Sequence, residues 1–503
     1  MLHELILENF KPFGTLQRVS LSPITLVFGP NSGGKSSLIQ AIMLMRQTLE
    51  SFDPLSPTLN VRGDYTDLGS FKSLLHGHNL KHHLTIGFEL DAPPAVPRRG
   101  RPPALHPGAR RTLKLVFRAA SSAGSRKKDT SEPSDVHLGI ASEPPLTVHL
   151  RKARAQMLRD RKQPTPMEGV RVYEWADQES ARSLGEFITH HGPRVVVRDG
   201  KGGALRELLT DSSNIDETLL ECDVVATELL PTRLVPKEPR EAERGPEFGP
   251  AARAGWVLEN LAWEFRRLMG SVTYLGPMRS YPARHYLISG GFKGSVGSQG
   301  ENLPAVVYRR KKEIITEVNK WFEAFEIPYQ LHVEPVGNEV TGEIVSMTLV
   351  DKGSGVNLAP SDVGFGIGQL LPVIVEGVIS RNRIICVEQP EIHLHPRMQA
   401  HLADLFIGTA HIGKKRGTAQ PGSAAGNQWI VETHSESLML RLQRRIREGA
   451  LDKNDVSILY VEPSERHGSV VRSLRLDDDG QFIDEWPRGF FEESYNELFE
   501  GSA

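Results

Sequence analysis

Apolar and polar positions along the chain follow two different rhythms. Residues 2–8 (LHELILE) and 24–28 (ITLVF) predict strands, and the second runs through a glycine-rich turn into a helical stretch, SSLIQAIMLMRQTL. From about residue 84 to 250 the segments LTIGF, TLKLVF, LTVHL, VRVYEW and RVVV alternate at period two and predict antiparallel strands. A helix is expected at 256–269, followed by a strand and turn in VTYLGPMRS. Val307, Ile314, Val318, Trp321, Phe322 and Phe325 recur at helical spacing and are expected in the core. Strand and helix then alternate: helix 366–379, strand 383–388, helix 397–407, strand 428–432, helix 436–447, strand 455–461. That order implies an α/β fold, a mostly parallel sheet covered by helices, with an antiparallel β-rich region inserted in it.

Polar stretches at 91–111, 121–135 and 413–427 read as mobile loops. The first carries Arg98, Arg99, Arg101, Arg110 and Arg111, which leaves nucleic acid open as a partner; a solvated surface loop is the plainer reading. Global charge adds nothing, because 60 Lys and Arg face 62 Asp and Glu. Two cysteines, Cys222 and Cys386, without a CxxC, argue against a disulfide framework or a zinc site of ordinary spacing. The N-terminus lacks the basic and apolar regions of a signal peptide, and the apolar run 367–379 is broken by Gln, Pro, Glu and Gly. A cytoplasmic protein without a membrane span is expected.

The chemistry concentrates in four pieces. GPNSGGKS, Gly29 to Ser36, matches the phosphate-loop pattern GxxxxGK[ST] and sits between a strand and a helix. Its glycines Gly29, Gly33 and Gly34, with Asn31, Ser32 and Ser37, would curl backbone N–H groups toward phosphate oxygens. Lys35 would reach the β- and γ-phosphates of ATP, and Ser36 would ligate Mg²⁺. IICVE, 384–388, ends a buried strand in Glu388, a second candidate Mg²⁺ ligand, and Gln389 follows where a water-activating carboxylate is usual. IVETHSE, 430–436, offers Glu432 and His434; residues two apart share a strand face, so Glu432 is a candidate for the carboxylate that Gln389 cannot supply. PSDVGFGIGQ, 360–369, puts Ser361 and Gly364 before a helix start. The acidic run LDDDG, 476–480, is better explained as a β-turn than as a metal cluster.

These four pieces in this order resemble the ATP-binding heads of the ABC/SMC superfamily, and more closely the prokaryotic ATPases related to RecF and to the overcoming-lysogenization-defect (OLD) family. E-x-P-E-x-x-L-H-P at Glu388 to Pro396, Y-L-G-P-x-R at Tyr274 to Arg279 and T-H-S at 433–435 carry that resemblance. WPRGFF, 486–491, resembles a C-terminal domain of unknown function found in one subgroup. The resemblance implies an ABC-type head formed by 1–90 and 256–503, with 91–255 inserted. It implies Glu388 as the Walker B acid and His434 as the switch histidine. Ser361 and Gly364 would be a signature element acting on nucleotide held by the opposite subunit. His393 to Pro396 would form a D-loop, along which Glu391 is expected to point toward the partner. A homodimer closing on ATP follows. Such a protein would be a slow ATPase switch controlling a separate effector in anti-phage defence or DNA maintenance. The rivals are an ATP-binding scaffold with little turnover and a nuclease-associated DNA-binding ATPase. About 70 residues follow His434, where OLD nucleases place a TOPRIM domain, and nuclease activity is not assigned to this chain.

Overall fold

A computed structural model describes residues 1–50, 59–92, 105–106, 108–120, 131–153, 171–191, 196–197, 206–207, 215–226, 229–237, 250–288, 294–338, 340, 342–410, 426–464 and 468–487. The chain divides into two compact units. One comprises Met1, Val19–Gln40 and Ser271–Ala503; the other comprises Leu2–Arg18 and Ala41–Gly270.

The first unit is built on a six-stranded mixed sheet. Its spatial order is Val272–Leu275, Ile384–Glu388, Gln428–Glu432, Ile24–Phe28, Val456–Ser464 and Gly468–Leu474. The first five strands run parallel and the last returns antiparallel. Every residue of the strands at 24–28, 384–388 and 428–432 is buried, as expected for strands covered on both faces. Helices Phe365–Ile379, Pro396–Ala410 and Glu436–Arg447 lie within one to three residues of their expected bounds. Val307, Ile314, Val318, Phe322 and Phe325 are core residues, with Trp321 packed against them. They lie on or just beyond two helices, Leu303–Arg309 and Lys311–Ala324, rather than one. A small sheet around Tyr329–Pro335 and Ile344–Asp351 completes the unit.

The second unit is built on eight strands of a nine-stranded sheet, whose ninth strand is Gln17–Ser20 next to Leu2–Glu8. From Leu2–Glu8 the order runs through Leu84–Asp91, Arg110–Ala119, Ser131–Ile140, Leu146–Lys152, Arg171–Trp175 and Cys222–Ala226 to Arg233–Pro236, each neighbour antiparallel. The boundaries expected at 90 and 255 do not mark its edges, because Leu2–Glu8 and Leu84–Asp91 pair within it. Helix Gln178–His191 was not anticipated from the sequence; Asp177 caps it, its Oδ1 accepting from Ser180 N and Oγ at 2.8 and 2.7 Å. Ser131 to Asp135, expected in a loop, open a strand instead: the Ser131 hydroxyl accepts from Leu59 N–H at 3.1 Å and that of Ser134 donates to Val116 O at 3.3 Å.

Two arginines of the basic stretch are committed within this unit. Arg111 is fully buried, its Nε 2.7 Å from Glu264 Oε2, and it also donates to the carbonyls of Leu105 and Ala109. Arg110 pairs with Glu89 at 2.6 Å. Neither is part of a loose basic loop; Arg98, Arg99 and Arg101 lie outside the described residues. LDDDG forms the expected turn, with Asp477 Oδ1 accepting from Asp479 N and Gln481 N at 3.0 and 2.7 Å. No helix among the described residues is long and apolar enough to cross a membrane.

Candidate functional site

The phosphate loop leaves strand Ile24–Phe28 and enters helix Lys35–Glu50. Gly29 has φ 146° and Gly34 φ 107°, which side chains rarely adopt. At Gly29 room is lacking as well, because a Cβ would stand 2.2 Å from the Val461 carbonyl oxygen. Within the loop Gly33 N donates to Pro30 O at 3.1 Å and Ser37 N to Gly34 O at 3.0 Å. Asn31 and Ser32 are exposed. The Lys35 ammonium is drawn back onto the loop, donating to Gly29 O at 3.1 Å and Pro30 O at 2.9 Å. Burial lowers its pKa, while Glu432 and Glu391 act in the opposite direction.

Glu388 and Glu432 end neighbouring parallel strands as register partners, and Glu432 is opposite Val27 of the phosphate-loop strand. Ligands of open α/β sheets collect at such carboxyl ends. The Ser36 hydroxyl lies beside the Glu432 carboxylate, and Glu432 Oε2 is buried without a hydrogen-bond partner among the described residues. Burial raises the Glu432 pKa, with Ser36 and Lys35 pulling it back. Glu388 is held differently. Its Oε1 accepts from the Tyr274 hydroxyl at 2.9 Å, and its main-chain oxygen accepts from Arg279 Nη2 at 2.9 Å. Burial, then the Glu388 charge, drives the Tyr274 phenol far above its ordinary range. Arg279 is itself buried, which pushes its pKa down to about 10 against the pull of Glu391, Tyr274 and Glu388. Its Nε and Nη1 have no partner among the described residues.

Glu391 does not point outward. Gln389 and His393 take left-handed conformations, φ 45° and 62°, and Gln389 N donates to Glu432 O at 2.7 Å. The turn folds Glu391 inward, where Oε1 accepts from His434 N–H at 2.7 Å. Its pKa is raised, burial outweighing the His434 N–H, the Thr433 hydroxyl and Arg279. His434 is half-buried beside Lys35; burial first and that charge second lower its pKa, so the imidazole is neutral near pH 7. Lys35 therefore has Glu432, Glu391 and His434 as electrostatic neighbours.

Ser361 lies in the short turn Pro360–Asp362, and Gly364 is the exposed N-cap of helix Phe365–Ile379. Arg284 clamps Asp362 through two nitrogens at 2.8 and 2.5 Å, and Tyr281 Oη donates to Ser361 O at 3.3 Å. Among the described residues no hydrogen bond joins Ser361 or Gly364 to the phosphate loop. Sequence reasoning assigned no role to Tyr274 or Arg279, although both lie in the quoted Y-L-G-P-x-R turn.

The donor set suits Mg²⁺. A serine hydroxyl and buried carboxylate oxygens are hard ligands, and the spare Glu432 oxygen beside Ser36 is an acceptor held ready. Among the described residues no three His, Cys, Asp or Glu side chains form a cluster that could hold the ion alone. Mg²⁺ usually takes its other ligands from phosphate and water.

Comparison with known families agrees with this geometry. Residues 300–439 match the AAA ATPase domain, and 4–51 match an AAA domain. These two stretches are similar to ATPase domains, and the first of them in the chain contains the phosphate loop. Residues 451–500 match a family described as a protein of unknown function, DUF3696. Among solved structures the chain is similar to the SMC head domain from Thermotoga maritima, at 12% identity over 94% of this chain and 99% of that one, TM-score 0.36. It is also similar to an Smc head bound to the C-winged helix domain of ScpA, at 13% over 94% and 98%, TM-score 0.38. A third is the Smc head domain with an extended coiled coil bound to the C-terminal domain of ScpA derived from Pyrococcus furiosus, at 12% over 100% and 99%, TM-score 0.36. No curated protein matches the chain.

Proposed function

We propose that this ATPase binds and slowly hydrolyses ATP, and that ATP closes a homodimer that acts as a switch on a separate effector. The observation that carries the chemistry is the meeting of Lys35, Ser36, Glu432, Glu391 and His434 at one loop, beside Glu388. Lys35 and the loop amides would hold the phosphates, while Ser36 and Glu388 would hold Mg²⁺, which when bound neutralises phosphate charge. Gln389 has an amide and cannot take a proton from water. Glu432 or Glu391 would do so, each a buried carboxylate whose pKa burial raises, which makes it a stronger base than a free one. The neutral His434 would hydrogen-bond the terminal phosphate.

The dimeric part rests on Ser361 and Gly364. They stand at a helix start with Gly364 exposed, and among the described residues no hydrogen bond ties them to the phosphate loop of the same chain. Supplying them in trans would complete each site only when two chains meet. A setting in prokaryotic defence or DNA maintenance comes from the family resemblance and is part of the proposal. Steady-state ATP turnover on the purified chain, with Lys35→Ala as the blank, tests the chemistry: equal phosphate release from both would end the reading.

A further inference from the structure

The C-terminal region of unknown function touches the phosphate loop at two points. Strand Val456–Ser464 pairs with Ile24–Phe28, Tyr460 opposite Phe28, and runs on past the end of that strand. Val461 then abuts Gly29, so closely that any side chain there would collide with its carbonyl. The partner strand Gly468–Leu474 returns, and the buried Ser469 hydroxyl donates to Gly33 O at 2.6 Å. Further along the same region, Trp486 sets its ring edge-on to Phe28, the residue before the loop, with centroids 6.0 Å apart.

The Ser469 bond acts on a particular peptide. A phosphate loop works by aiming N–H groups at its ligand, so its carbonyls must find partners elsewhere. Gly29 O and Pro30 O take the Lys35 ammonium, and Gly34 O takes Ser37 N–H. Gly33 O takes Ser469. A peptide unit is planar and trans, so fixing the Gly33 carbonyl fixes the Gly34 N–H in the opposite direction, away from the hairpin. With glycine on both sides this peptide turns over more easily than any other in the loop, and Ser469 holds it in one orientation.

We infer that the hairpin Val456–Ser464 and Gly468–Leu474 is the outer wall of the nucleotide site, and that Ser469 is a positioning residue that keeps the phosphate loop formed before ligand arrives. The inference rests on the nucleotide-binding reading above and gives the region of unknown function a part in it. Anything that moves the C-terminal hairpin would then change affinity for nucleotide.

The test is titration of the full chain with Mg-ATP and Mg-ADP. Ser469→Ala should weaken both on the order of tenfold, the scale of leaving one buried carbonyl unpaired. Its KM for ATP should rise by a larger factor than saturated turnover falls. Ser469→Thr keeps the hydroxyl and should bind within about threefold of the parent. Ser457→Ala is the control. It removes a buried bond from the same hairpin, Ser457 Oγ to Ser20 O at 3.0 Å, without touching the loop, and should bind as the parent does. Parent-like binding by Ser469→Ala overturns the inference, and so does equal weakening by both alanine variants. If Ser469→Ala does not fold, hydrogen exchange on the unaltered chain decides. ATP should slow exchange at 468–474 together with 29–37, and an unresponsive hairpin refutes the wall. A parent that binds no nucleotide would instead remove the nucleotide-binding reading, and the first titration shows this.

Discussion

Ser36 of the phosphate loop lies beside Glu432, which ends the strand paired with Ile24–Phe28, and its hydroxyl draws the Glu432 pKa down. Glu388, one strand further out, is engaged by Tyr274 instead. The two acids therefore hold different posts. Glu432 lies beside Ser36 of the phosphate loop, while Glu388 is braced by Tyr274 and Arg279. Replacing Glu432 with Gln keeps the volume and removes the proton acceptor. Turnover should fall on the order of 10²–10⁴-fold, the usual worth of a general base, with ATP still bound. In that background Gln389→Glu should restore part of the rate. Phosphate release at saturating ATP measures both; a Glu432→Gln protein as fast as its parent gives the role of base to Glu391.

Ser361 tests assembly. Ser361→Arg puts a long cation where a second chain's nucleotide would arrive. ATP should raise the mass of the parent toward a dimer by light scattering, and ADP should not. The variant should remain at its nucleotide-free mass and lose turnover, while each chain still binds ATP through its own loop. An ATP-dependent dimer in the variant would remove Ser361 from the interface.

The nucleotide loop and its strands were legible because their signals are local. A strand, a glycine turn and a helix start occupy one stretch of 27 residues from Ile24 to Glu50, and the strand bounds at 2–8, 24–28 and 428–432 match the pattern of the sequence. Glu391 was misdirected because its orientation depends on a left-handed Gln389, a conformation sequence does not favour for a non-glycine residue. Helix Gln178–His191 was missed because Gln178, Glu179 and Arg182 make its start look like a polar loop; its buried stripe of Ala181, Leu184, Phe187 and Ile188 is short. The bond from Ser469 to Gly33 spans 436 positions, and no periodicity reports such a contact.

Arg111 carries a stability prediction. Its partner Glu264 is almost wholly buried and its pKa is raised, burial outweighing the arginine. Arg111→Met would strand that carboxylate and should destabilise the fold by about 3–5 kcal/mol. Adding Glu264→Leu should recover most of the loss, because an apolar pair of similar size often replaces a buried ion pair at little cost. Urea unfolding of the two variants and the parent checks this. Any nucleic-acid test of the basic stretch must therefore spare Arg111. A change confined to Arg98, Arg99 and Arg101 is the informative one, and binding that matters there must weaken steeply with salt.

The pH dependence follows from which groups are strained. Burial raises the pKa of both Glu432 and Glu391, so the folded state holds their protons to higher pH than the unfolded chain does. Their ionised forms therefore cost stability above the folded pKa, and that cost is relieved as pH falls from the folded value toward the ordinary one of 4.5. Asp91 and Asp135 have lowered pKa values and act with the opposite sign, losing their contribution as pH falls, so the useful quantity is a difference between proteins. Without nucleotide, Glu432→Gln should be more stable than the parent at pH 7.5. The gap should narrow on acidification, because the parent's carboxylate then becomes neutral as well. Turnover in the parent should fall over the same window, since a protonated Glu432 cannot take a proton from water. His434 does not blur this limb: its pKa is lowered by burial and by Lys35, so it stays neutral until more acid conditions than a free imidazole would. Melting temperatures and ATP turnover of the two proteins from pH 5 to 8 provide the comparison. A stability gap that widens toward low pH would mean that the Glu432 charge is held favourably in the fold, and would remove burial as the reason for its raised pKa.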